Sequence, residues 1–176
     1  MKYGLIVTAI LLLNGSFSTS AQSFPEPVRP RISIGPDIAI PSGSYGNRFS
    51  IGLGASAKLE APITTRLYAA LTAGYTSLIS KNKLHGVTIS TGDRSYVPIK
   101  AGAKYYFGQS FYAEGQLGVS VGVQKYAGTS FAWSPGLGFL IPLSEKHAID
   151  FSIRSEKWER EGGDINQGGI RIAYQF

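Results

Sequence analysis

The chain contains no cysteine. That excludes a disulfide scaffold, a cysteine-ligated zinc site, a thiol nucleophile and a lipid anchor on cysteine. Only 16% of its 176 residues are charged, against roughly 25% in an ordinary soluble domain. The 17 Lys and Arg outnumber the 11 Asp and Glu, for a formal +6. They are scattered rather than gathered into a basic face, so no nucleic-acid partner is expected. Long apolar runs are missing too, except at the start. Gly4 to Leu13 reads GLIVTAILLL, about half of the roughly 20 apolar residues a membrane-spanning helix needs.

That exception follows Lys2 and runs into a polar stretch with small residues at Thr19 and Ala21. A positive start, a short apolar core and a small-residue end make a cleavable secretory signal peptide, expected over 1–21. Residues 22–30 form a Pro-rich lead-in, extended by composition. The remaining stretch, 31–176, is sized for one domain.

What the chain does have is 22 glycines, 12% aromatics and a period of two. Apolar residues alternate through runs near 31–41, 49–61, 66–77, 96–107, 111–123, 131–143, 148–158 and 168–176. A period of two marks strands, not helices. One face carries Ile, Leu, Val and aromatics. The other carries Gly and Ser with sparse charges of both signs.

Alternation does not say which face is inside. A soluble lipocalin-like barrel turns the apolar face in, and a membrane barrel turns it out. Three features favour the membrane. The polar face has too little charge for a watery exterior. Aromatics collect near strand ends, with Phe49, Tyr75, Phe131 and Trp133 forming one belt and Tyr105, Phe107, Phe111, Tyr174 and Phe176 the other. The connections alternate short and long, as in outer-membrane barrels.

These features, with the ending Gly169-Ile-Arg-Ile-Ala-Tyr-Gln-Phe176, make the chain resemble the small eight-stranded outer-membrane β-barrel family, such as the OmpA membrane domain and OmpX. The resemblance implies an all-β, eight-stranded antiparallel up-and-down transmembrane barrel, monomeric, with 22–30 on the periplasmic side. It implies that Ile170, Ile172, Tyr174 and Phe176 serve as the signal read by the outer-membrane assembly machinery. Lipid and lipopolysaccharide would be its surroundings.

A barrel of eight strands is just wide enough for side chains to fill. Pairing Phe107 with Phe111 across the turn at Gly108–Ser110 sets Lys104 opposite Glu114 and Tyr106 opposite Tyr112. Glu60 and Arg66 are expected to face each other across the turn at 62–65. An ion-pair network of Lys58, Glu60, Arg66, Lys100, Lys104, Glu114, Asp150, Arg154 and Arg171 is therefore expected to close the lumen.

Catalytic motifs are not found. Gly52-Leu-Gly-Ala-Ser-Ala57 sits inside a strand, where a dinucleotide loop needs a strand, a turn and a helix. His85 and His147 fall at opposite ends of the expected barrel, so no shared metal follows, and Val87 and Ile149 stand two residues after them where a strand-borne His/Ser pair would need serine. No enzyme activity, cofactor or metal is expected. The reading is a structural or surface-interaction protein acting through its outer loops. A narrow porin-like channel and a soluble exported lipocalin-like ligand-binding barrel are the alternatives.

Overall fold

A computed structural model describes residues 29–81, 83–84, 87–88, 92–124, 128–160 and 163–176. The expected signal peptide, most of the lead-in and His85 lie outside the described residues. The elements are β1 (Arg31–Ser42), α1 (Gly43–Arg48), β2 (Phe49–Pro62), β3 (Leu67–Ser80), β4 (Lys83–Leu84), β5 (Val87–Thr88), β6 (Arg94–Tyr106), β7 (Phe111–Gly122), β8 (Thr129–Pro142), β9 (Ala148–Glu159) and β10 (Ile165–Gln175).

Eight of the strands form a closed antiparallel barrel in the order β1-β10-β9-β8-β7-β6-β3-β2, while β4 and β5 pair as a small separate hairpin. Closure comes from β1 pairing with β10, where Ile34 faces Tyr174 and Asp37 faces Arg171. It leaves no unpaired edge, the condition for a sheet to cross lipid. Three short connections (63–66, 107–110 and 143–147) share one end with both termini of the barrel. The other end carries 43–48, 81–93, 123–128 and 160–164. These are called the turn end and the loop end below.

The apolar face points outward. Ile32, Ile34, Leu53, Leu71, Ile99, Leu117, Leu137 and Ile153 are all exposed, along with many others. The charged and small residues point in. An exterior this apolar matches a hydrocarbon surrounding, not water. The lipocalin-like alternative is thereby overturned, because its apolar face would have to be the buried one.

One girdle residue departs from the expected alternation. The pairing of β2 with β3 shifts register between Phe49 and Ile51. The extra residue of a bulge reverses which way the strand's side chains point. Phe49 is 1% exposed and lies inside the barrel, so it belongs to no outward belt. The other expected girdle residues, Tyr75, Phe131, Trp133, Tyr105, Phe107 and Phe111, point outward.

Candidate functional site

The interior is the densest chemistry in the molecule. Its large side chains fit because glycines stand beside them. Arg154 pairs with Gly136 on one side and Gly169 on the other. Tyr112 pairs with Gly138, where a Cβ would collide with the tyrosine ring.

Toward the turn end, Lys104 is the hub. Its Nζ lies 2.7 Å from Glu60 and 3.2 Å from Asp150, and all three residues are 0% exposed. The Tyr112 hydroxyl donates to Asp150, and the Lys104 ammonium sits 3.7 Å from the centre of the Tyr112 ring. Arg171 reaches Asp150 at 3.6 Å and donates to the Ser56 hydroxyl at 2.8 Å and the Ser33 carbonyl at 3.1 Å. Lys58 pairs with Glu114 at 2.5 Å.

Toward the loop end, Glu156 is the hub. It accepts from Lys100 at 2.7 Å and from Arg154 at 2.9 Å, and Arg154 continues to Asp37 at 2.8 Å. The Trp158 indole donates to the same carboxylate at 2.8 Å. Between the two hubs, Gln116 donates to the Thr72 hydroxyl at 2.8 Å.

The lumen is self-neutralising. Its cations are Lys58, Lys100, Lys104, Arg154 and Arg171, and its anions are Asp37, Glu60, Glu114, Asp150 and Glu156. Each has an ion-pair partner. Burying so many charges is tolerated only when every one is paired and hydrogen-bonded. The cavity left among them measures about 30 Å³, space for about one or two waters.

Aromatic rings cluster at both ends of the lumen. At the turn end, Tyr68, Tyr106 and Tyr112 pack with Leu140 and Ala148. At the loop end, Phe49, Tyr96 and Trp158 pack with Leu78, Ile165 and Tyr45. Tyr45 comes from α1, a six-residue helix with no side-chain N-cap. So short a helix is unstable by itself. It is entered through Gly43 at φ 60°, a conformation other residues rarely adopt. Its anchors are Tyr45 stacked on Phe49 at 5.5 Å, a hydrogen bond from Arg160 to the Tyr45 hydroxyl and Lys81 donating to the Gly46 carbonyl at 2.6 Å.

The expected lumen residues Lys58, Glu60, Lys100, Lys104, Glu114, Asp150, Arg154 and Arg171 all lie inside and in contact. Arg66 does not. It is exposed in the turn between β2 and β3, and Glu60 faces Ala70 across that hairpin. The expected register at the next turn is present, with Lys104 opposite Glu114 and Tyr106 opposite Tyr112. The ion pairs nevertheless run elsewhere, because long side chains reach across the lumen to other strands. Asp37 and Glu156 were missing from the expected set. Parity carried the signal for both, since Glu156 shares a face with Arg154 and Trp158, and Asp37 sits opposite Arg171.

Outside, the turn end carries groups of packed aromatic rings. Phe111, Phe139 and Phe151 follow one another across three strands at 6.0 and 5.2 Å. His147 stacks on Tyr174 at 5.5 Å, and Tyr174 meets Phe176 at 4.9 Å. Ile170 and Ile172 point outward on the same strand as Tyr174, on the lipid-facing side. Among the described residues, no group of His, Cys, Asp and Glu is arranged to hold a metal.

No protein-family model matches the chain, and no curated protein matches it by sequence. Solved structures do. The outer membrane protein Ail of Yersinia pestis, in a phospholipid bilayer nanodisc, superposes with a TM-score of 0.59 at 19% identity, covering 84% of this chain and 98% of that one. This chain has the fold of the small outer-membrane β-barrels. Neisserial surface protein A gives 0.59 at 16% identity over 83% and 95% of the two chains. The outer membrane protein OprG of Pseudomonas aeruginosa gives 0.53 at 13% over 84% and 95%. At these identities the likeness is one of fold, and the site has to be argued from this barrel's own residues.

Proposed function

We propose that this outer-membrane barrel is a non-catalytic, monomeric surface protein that works through its loop end. The single observation behind this reading is the closed lumen. Its charges cancel in pairs and rings pack at both ends, an arrangement that disfavours traffic through the barrel. What remains for exchange with the surroundings is the loop end, which carries the longer connections. A protein of the same fold, Ail, is named for attachment and invasion and has been solved with the heparin analogue sucrose octasulfate. That precedent supports a surface-interaction role here without naming the partner.

In this reading residues 1–21 are removed on export, and Ile170, Ile172, Tyr174 and Phe176 present the ending that the assembly machinery reads. The outward belts sit at the two edges of the bilayer, with lipopolysaccharide around the loop end. The test is planar-bilayer conductance of the refolded chain 22–176, with insertion verified by its heat-dependent gel mobility. Silence is the expected result. Stable, ion-selective steps would make the lumen the functional site and revive the narrow channel. A loop-end role then predicts that replacing 82–91 by a Gly/Ser segment of equal length leaves folding intact and abolishes adhesion of cells displaying the protein.

A further inference from the structure

The turn end holds two cations that do not take part in the lumen's bookkeeping. Arg31 and Arg66 line one open cavity of about 400 Å³ together with Thr65, Tyr68, Tyr106 and Gln109. Among the described residues, no carboxylate pairs with either guanidinium, whereas every lumen charge is paired. Arg31 is held in place by the floor of the cavity. Its guanidinium carbon lies 5.0 Å from the Tyr68 ring centre and 5.9 Å from that of Tyr106. An arginine on aromatic rings keeps its charge and its forked donors available for another group.

We propose that this cavity is an anion site that takes a phosphate dianion, either free or as the head of a phosphate monoester. Two guanidinium forks match a doubly charged group with three or four oxygens around one centre. Thr65 and Gln109 add neutral donors for the oxygens the arginines leave. A carboxylate, with one charge and two oxygens, uses half of this set. The cavity is larger than a phosphate ion, which leaves room for the organic part of a monoester. A second opening of about 280 Å³ shares Arg31 and Gln109 with the first and includes Ser110 and Lys146, with Glu145 beside them. The site lies in the mouth, framed by the β2–β3 and β6–β7 turns. It does not depend on the surface role proposed for the loop end.

The test is a titration of the full mature barrel in nanodiscs of zwitterionic lipid, following the arginine side-chain Nε–H resonances. Inorganic phosphate is the first probe, glycerol phosphate the second, and chloride at matched ionic strength the control. Saturable shifts of Arg31 and Arg66 with phosphate are expected. Arg31→Gln and Arg66→Gln should each weaken binding about tenfold, while Arg48→Gln, exposed at the opposite end, leaves it unchanged. Glycerol phosphate binding more tightly than the free ion identifies a monoester ligand, and the reverse order identifies phosphate itself. Shifts that never saturate, an equal response to chloride, or an equal loss in Arg48→Gln would overturn the site. Arg66 is exposed in a turn, so its variant folds and keeps the test decisive even if Arg31→Gln does not.

Discussion

At the turn end of the lumen, Tyr68, Tyr106 and Tyr112 project from three neighbouring strands. At the loop end, Phe49, Tyr96 and Trp158 also project from strands, but Tyr45 is delivered by α1, outside the barrel wall. The charges below follow the same division. Lys104 at the turn end neutralises two carboxylates, Glu60 and Asp150, and Tyr112 is hydrogen-bonded into the cluster. At the loop end, Glu156 is shared by two cations, so losing one leaves the other. The difference teaches that the turn half leans on Lys104, the ion-pair partner of Glu60, whereas the loop half can lose Lys100 because Arg154 also holds Glu156, and its plug is tied to a short helix.

The largest test of that contrast is Lys104→Met. It leaves Glu60 without an ion-pair partner among the described residues and Asp150 with Arg171 alone, and should cost about 3–5 kcal/mol of stability, read from urea unfolding in lipid vesicles. Lys100→Met removes one of the two cations on Glu156 and should cost about 1–3 kcal/mol. Equal losses would break the comparison. Gly138→Ala forces a methyl group against the Tyr112 ring and the Phe151 carbonyl, so it should cost about 1–3 kcal/mol by overpacking and loosen the turn-end stopper.

Smaller effects sharpen the comparison. Tyr45→Ala should open only the loop-end plug. The expected cost is about 2 kcal/mol or less, with a red shift of Trp158 emission and conductance still silent, because the ion pairs below remain. A conducting Tyr45→Ala would mean that α1, not the charged layer, closes the barrel. Arg66→Gln, on an exposed turn, should change stability by about 0.5 kcal/mol at most. It thereby separates that arginine from the lumen cations with which the spacing had grouped it.

Much of the fold was legible because a strand's two faces alternate without exception unless a bulge intervenes. The eight runs match the barrel strands to within a few residues, and the Gly108–Ser110 turn set the β6–β7 register correctly. Where structure and sequence pattern differ, a local irregularity or a long side chain is responsible. Phe49 was assigned to the outside because nothing in Phe49-Ser-Ile-Gly marks the register shift after it. α1 is not legible in the sequence because Gly43–Arg48 is too short to show a period, its N-cap Ser42 makes no side-chain cap, and it is held by what Tyr45 touches. Glu60 was matched with Arg66 because hairpin neighbours are the only neighbours a sequence shows.

The sequence by itself determined that this chain forms an antiparallel barrel with one apolar and one polar, glycine-rich face, since that information is written into a period of two. It also determined which charges share the polar face, because parity along a strand is local. Only the tertiary structure decided which of those charges meet. Closing β1 on β10 brings Lys104 to Asp150, 46 residues away, and Lys58 to Glu114, 56 residues away. The physical reason is reach. Once eight strands curl into a narrow cylinder, a lysine or arginine spans the lumen, and its partner is set by the circumference and depth of the barrel rather than by distance along the chain.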